Sequence, residues 1–259
     1  MTEPAVYSEI KDTILWVYLN RPARLNALNQ DLVNGLRKEL QDHRDNSDVR
    51  VVVFRGIGKA FCSGADLKER KDMSEADTEE FVNLLRKTFF YIFKYPKPTI
   101  ACINGFAYGG GLELAMACDL RVSVESTMIG LTETSLGIIP GAGGTQYLSH
   151  LLGLAKAKEM IFCATKMEAI EALHFGLINK LYTKESLDEK TQFLGKKIAR
   201  NAPLAVQAAK KALNSGFKDF MEKGLKTEGK SYGTVLSSED RIEGLNAFKE
   251  KRTPRFRGK

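Results

Sequence analysis

Histidine is scarce in this 259-residue chain: His43, His150 and His174 are the only three, and none stands at metal-ligand spacing from another. Zinc chemistry and a histidine-based triad are therefore poorly supported, and no metal is expected. Cysteine is limited to Cys62, Cys102, Cys118 and Cys163, with no C-x-x-C pair. That pattern reads as buried free thiols in a reducing compartment, not as a disulfide framework. No apolar run approaches the roughly 18 residues that a membrane span needs. The N-terminal MTEPAVYSEI carries two early acids and has neither the basic-then-apolar layout of a secretory signal nor the Arg-rich character of a transit peptide. A cytoplasmic protein without membrane association is the expectation. Repeats, low-complexity tracts and Gly/Ser linkers are absent as well.

What is present is ordinary globular composition, 43% hydrophobic and 27% charged, in a chain long enough to bury a core without staples. The net charge of +7 is unevenly placed. The last eleven residues, KEKRTPRFRGK, carry six positive charges and one negative, so the body is nearly neutral. Such a tail suits nucleic acid, an anionic surface or a phosphorylated cofactor, and is otherwise a solvated end.

Residues 13–19 (TILWVYL) form a β-rich run that ends at Asn20-Arg21-Pro22. From Asn29 to about Asn46, Leu32, Val33, Leu36 and Leu40 follow helical spacing. VRVVVFR at 49–55 reads as a buried strand, a helix follows near 78–94, and Thr99–Ile103 is a strand after the breakers Pro96 and Pro98. Strands alternating with helices at these spacings predict crossovers and a largely parallel sheet. After about residue 150 strand-like runs nearly vanish, except Leu177–Tyr182. We expect an α/β core over 1–200 and a helical segment with a basic tail over 201–259.

Glycine concentrates in three places: Phe61–Asp66, Asn104–Glu113 and Gly137–Gly144. The second cluster follows a strand and opens the helix LELAMAC. Glycines there allow close backbone approach, and the helix start aims N–H groups at whatever sits beside it. The phosphate-loop and dinucleotide patterns are absent. Cradling a phosphate, stabilising an oxyanion and simply turning the chain all remain open on this segment alone. Glu113 lies in the first turn of that helix and Glu133 follows the strand-like Leu120–Val124. Each alone reads as a dipole-complementing or surface acid, but their joint place between two glycine clusters fits a paired acid/base site.

Gly64-Ala65-Asp66, Asn104-Gly105, Gly109 through Ala115, Cys118-Asp119 and the run from Glu133 through Gln146 resemble the crotonase superfamily, nearest the enoyl-CoA hydratases. The likeness extends from Asn26-Ala27-Leu28 to Ala247–Arg252. The run Ala65–Arg70 and the chain ending resemble the branch that contains methylglutaconyl-CoA hydratase, also described as an AU-rich-RNA-binding protein. The resemblance implies an α/β fold, the crotonase (ClpP-like) spiral of ββα units, with a C-terminal helical trimerisation region and a homotrimer or hexamer. It implies an acyl-CoA thioester as substrate, with no cofactor beyond the coenzyme A that the substrate carries. Backbone N–H groups of Ala65 and Gly110 would form an oxyanion hole. Glu113 would act on the attacking water and Glu133 would supply the Cα proton. Asp66, Leu67, Lys68, Gly109 and Lys251 match further positions that contact substrate or CoA. Tyr108 and Tyr147 depart from the usual residues at their places.

A double-bond isomerase manages with one carboxylate, so the presence of both Glu113 and Glu133 favours hydration. The stretch from Lys68 to Glu80 and the helix near Phe89–Phe93 are expected to border the acyl pocket. RNA binding would need a basic early helix. Residues 29–46 hold Arg37, Lys38 and Arg44 against Asp31, Glu39, Asp42 and Asp45, a balance that argues against a nucleic-acid partner.

Overall fold

Alternating apolar runs and short glycine turns fold into two sheets wound one beside the other. The computed structural model describes residues 3–71 and 73–259. In chain order it contains β1 (Val6–Lys11), β2 (Ile14–Leu19), α1 (Gln30–Asp42), β3 (Val51–Gly56), β4 (Ala60–Cys62), α2 (Leu67–Lys71) and α3 (Glu75–Phe93). β5 (Thr99–Ile103), β6 (Phe106–Tyr108), α4 (Gly110–Ala117), β7 (Leu120–Val124) and β8 (Met128–Gly130) follow. Then come α5 (Gly144–Leu152), α6 (Leu154–Phe162), β9 (Lys166–Glu168), α7 (Ala169–His174), β10 (Lys180–Tyr182), α8 (Leu187–Ala199), α9 (Pro203–Leu236) and α10 (Glu239–Glu250).

The larger sheet runs β1-β2-β3-β5-β7-β10 and the smaller one β4-β6-β8-β9. All pairs from β2 to β10 in the larger sheet are parallel. The order shows the repeat: β3, β5 and β7 enter the large sheet, and the strand after each, β4, β6 or β8, enters the small one before the chain turns helical. This is the ββα spiral that the resemblance implies. β2 is buried at all six positions, as its unbroken apolar run requires. α1 starts where Asn29 accepts the Leu32 N–H, and its Leu32, Val33, Leu36 and Leu40 are buried. Ser74 and Asp77 form a reciprocal capping box on α3, which fixes its start at Glu75.

The structure differs from the sequence reading in three respects. β1 was not expected: only Val6 of its six residues is buried, so it lacks an apolar signature. The small-sheet strands are three residues each, too short to show a period. Cys62, Cys102 and Cys118 are buried free thiols, with burial pushing each up to about 12, but Cys163 is exposed. The C-terminal helices do not stand apart. α9 packs on α3 and α5, and its Met221 and Leu225 join the main core.

Candidate active site

The repeat places three equivalent turns side by side, because β4, β6 and β8 are parallel neighbours. Ala65 follows β4, Gly109-Gly110 follows β6 and Glu133 follows β8. Ligands of open parallel sheets collect at such carboxyl ends. A cavity of about 340 Å³ opens there, within the range of small-molecule sites. Ala65, Gly109, Gly110, Glu113 and Glu133 form one wall; Leu67, Val82, Leu85, Tyr232 and Phe248 form much of the other.

Gly110 is the first residue of α4, so its N–H has no partner within the helix. Among the described residues neither this N–H nor that of Ala65 donates to any acceptor, whereas the flanking Asp66 N–H donates to Leu28 O at 2.9 Å. Two donors are thus left facing the same cavity. Gly109 must be glycine: its φ is +51°, and a Cβ there would stand 2.9 Å from Glu133 Oε1.

The two carboxyl groups are buried but differently held. Glu113 Oε1 accepts the N–H groups of Ala142 at 2.8 Å and Gly144 at 2.7 Å, at the start of α5. Glu133 Oε2 is buried with no hydrogen-bond partner among the described residues. Burial raises both carboxyls above the usual range, against which the two N–H bonds favour the ionised form of Glu113. Glu133 is pushed well up, first by burial and next by the charge of Glu113. Two neighbouring acids with environments that separate them is the arrangement of a base beside an acid.

Five of the expected site residues therefore share the cavity wall, and so does Leu67. Asp66, Lys68 and Lys251 are outside its lining. Asp66 is paired with Arg21 at 2.9 Å; burial works to raise its carboxyl, but the Arg21 bond and the Lys68 N–H hold it below the usual value. Lys68 and Lys251 are exposed, Lys251 ending α10 in a left-handed conformation. The basic tail folds back along α10. Arg252 pairs with Glu243 at 2.6 Å and Glu250 at 2.5 Å, and the Arg257 N–H donates to Asp240 at 2.6 Å.

From α3 it is Val82 and Leu85 that reach the cavity, two turns and one turn before the expected Phe89–Phe93. Phe89 is in the core, and Phe93 borders a separate groove with α9. Of the stretch 68–80, Arg70 lines the cavity, while Asp72 lies outside the described residues. Tyr108 is also at the wall, with Lys166 over its ring at 4.8 Å, and Tyr147 is a buried residue of α5.

Sequence reasoning missed Tyr232 and Glu228, and it gave Arg70 no role beyond its place in the 68–80 stretch expected to border the pocket. Arg70 is buried and donates to the Tyr232 hydroxyl. Glu228 is buried on α9 and accepts the Gly143 N–H at 2.7 Å. Only the apolar spacing of Met221, Leu225, Tyr232 and Leu236 hinted at which face of α9 turns inward. Among the described residues no three His, Cys, Asp or Glu side chains are placed to hold a metal ion. No helix among them is long and apolar enough to cross a membrane.

The comparisons with known proteins agree with this geometry. The family profile described as “Enoyl-CoA hydratase/isomerase” matches residues 9–259. “Probable enoyl-CoA hydratase 2, mitochondrial” of Arabidopsis thaliana is 46% identical over 247 residues, covering 95% of this chain and 82% of that one. “Methylglutaconyl-CoA hydratase, mitochondrial” of Mus musculus is 41% identical over 93% of this chain and 78% of that one. The crystal structure of an enoyl-CoA hydratase from Bacillus anthracis superposes with a TM-score of 0.81 at 42% identity, covering 98% of this chain and 100% of that one. Sequence, fold and the carboxyl pair at the ends of β6 and β8 converge: this chain belongs to the enoyl-CoA hydratase/isomerase family of the crotonase superfamily.

Proposed function

We propose that the chain hydrates a 2-enoyl-CoA thioester to the 3-hydroxyacyl-CoA, with water as the only cosubstrate. The observation that carries this reading is the unequal holding of the two acids. Glu113, fixed by two N–H bonds, takes a proton from water as its oxygen bonds to Cβ. Glu133, kept protonated by burial and by Glu113, delivers a proton to Cα. As the C–O and C–H bonds form, the electrons of the double bond move through the enolate, whose thioester oxygen accepts the N–H groups of Ala65 and Gly110. The proton gained by Glu113 then returns to Glu133. An isomerase needs only one of these acids, so loss of hydration on replacing either one separates the two readings.

Arg70 and Lys166 add positive charge to a cavity whose other charged side chains are those of Glu113 and Glu133. This favours an acyl group that ends in a carboxylate, the chemistry named for the mouse relative. A panel of crotonyl-CoA, longer enoyl-CoAs and 3-methylglutaconyl-CoA tests it; an uncharged chain turned over best would overturn it. Asp66, through its bond to the Lys68 N–H, shapes the turn that carries Ala65, while Lys68 and Lys251 serve the CoA phosphates from the surface. The exposed Leu204, Leu213 and Phe220 on α9 support residues 201–259 as the region through which a homotrimer, or a hexamer of two trimers, assembles. The nearly neutral early helix speaks against RNA as a partner. A cytoplasmic location is the reading from the sequence; two relatives are mitochondrial, and cell fractionation decides.

A further inference from the structure

A third buried acid meets the same backbone segment as Glu113, from α9 instead of α4. Glu228 is 2% exposed. Its Oε1 accepts the Gly143 N–H at 2.7 Å, and its Oε2 accepts the Thr145 N–H at 3.0 Å together with the Thr145 hydroxyl. The Ala142 and Gly144 N–H groups go to Glu113 Oε1. Four successive N–H groups therefore alternate between two carboxyls. They lie at the start of α5, where a helix leaves its N–H groups without partners of its own.

The segment cannot set its own position. Gly143, the residue before α5, offers no side-chain cap. Its φ of +109° is a glycine conformation, and a Cβ there would meet the Tyr147 ring at 2.4 Å. Ala142 and Gly144 have almost no side chain to wedge against neighbours. The placement of the two donors to Glu113 thus depends on what grips the donors between and after them. Glu228 grips both, and it does not line the cavity.

We propose that Glu228 is a positioning residue for hydration: by capping α5 it fixes the two N–H groups that aim Glu113 at the water. This rests on the reading of Glu113 as the group that activates water. It predicts that Glu228 acts mainly through Glu113; its charge also works to raise the Glu133 carboxyl, but behind burial and the charge of Glu113. A small misplacement of a reacting group is enough to cost rate without costing affinity.

The test is a double-mutant cycle on the full chain, with crotonyl-CoA as substrate and butyryl-CoA binding to count folded sites. Glu228→Gln keeps the volume but offers one acceptor oxygen where there were two. We expect about a tenfold loss of kcat, with KM and butyryl-CoA affinity within roughly twofold. In the Glu113→Gln background the same change should cost almost nothing further. A tenfold loss that persists in that background, or a normal kcat for Glu228→Gln, overturns the proposal. Intact hydration by Glu113→Gln sinks the underlying reading instead. If Glu228→Gln binds no butyryl-CoA, Thr145→Val takes its place in the cycle. Its expected loss is about threefold and should vanish without Glu113; an unchanged kcat, or a loss that persists, overturns the proposal as well.

Discussion

The two walls of the cavity are built by different means. One consists of turns that end parallel strands, and it presents backbone N–H groups and two acids. The other consists of helix faces from α3, α9 and α10, and it presents Val82, Leu85, Tyr232 and Phe248. Turns at strand ends inherit the sheet's rigidity, so groups placed there keep their geometry. Helix faces can change residue by residue without disturbing the ladder. Under the proposed function, chemistry belongs to the turn wall and choice of acyl group to the helix wall.

The most severe break of that division should come from the acids. Glu113→Gln and Glu133→Gln are each expected to lower kcat by about 10²-fold or more, the scale of one acid/base role. Affinity for butyryl-CoA, measured by calorimetry, should stay close to the parent value. Hydration that survives Glu133→Gln but not Glu113→Gln would favour the one-carboxylate isomerase. Next comes Gly110→Pro, which deletes a donor at the first position of a helix, where proline's missing N–H breaks no helical bond. Its Cβ would, however, push on Leu28 Cδ1, 2.7 Å away. Roughly a 10²-fold loss in rate is expected, the scale of one oxyanion donor. Folded enzyme with normal turnover would remove Gly110 from the mechanism.

The helix wall should respond in another currency. Tyr232→Ala enlarges the acyl end and frees Arg70 of its hydroxyl partner. The ratio of kcat/KM between a long and a short enoyl-CoA should move by about tenfold, in line with the ~1–3 kcal/mol that a pocket extracts per methylene. Crotonyl-CoA should be turned over within about threefold of the parent rate. A collapse of turnover for every substrate would mean that the helix wall also holds chemistry.

The acid buried behind the turn wall, Glu228, gives a stability signature. Burial, and then the charge of Glu113, lift the Glu228 carboxyl to about 8 from its ordinary 4.5. The folded chain thus holds this proton more tightly than the unfolded chain. The stability it lends is complete below about 4.5 and is lost as pH rises through about 8. Glu228→Gln cannot ionise, so its Tm relative to the parent should climb between pH 5 and pH 8.5, an interval of roughly the width that this shift spans. Calorimetric scans across that interval check the sign, and a relative Tm that falls with pH would refute it.

How much of this was legible in the sequence follows from how each part is encoded. α1 and β2 carry their burial in local periodicity, and the glycine clusters mark the turns because those turns need glycine. The acids Glu113 and Glu133 stood out because they sit beside such clusters, and both are buried at the cavity. Glu228 was not, since within KTEGKS it looks like any solvated helix acid; what buries it is the N-terminus of α5, more than eighty residues earlier. Arg70 fell within the 68–80 stretch expected to border the pocket, but its partner, the Tyr232 hydroxyl 162 residues on, left no local signal. β1 was invisible for the reason already given: a strand that pairs at an edge needs few buried residues.

The mildest break concerns the tail, which belongs to neither wall. Arg252 is already engaged with Glu243 and Glu250, so the tail's charge is partly spent within α10. Lys251 is exposed and has no ion pair with any described residue. It follows Phe248, which reaches the cavity wall, by only three positions. If Lys251 serves the CoA phosphates, it does so equally in the ground and transition states. Binding of that kind shows in KM and leaves kcat alone. Lys251→Ala should therefore raise KM for crotonyl-CoA severalfold at low salt, with kcat nearly preserved. The gap should close as salt rises, because exposed charges are screened within about 8 Å at physiological ionic strength. Arg252→Ala should instead loosen the tail from α10, which thermal unfolding would register. An unchanged KM for Lys251→Ala at low salt would leave the tail as solvated surface and return the phosphates to Lys68.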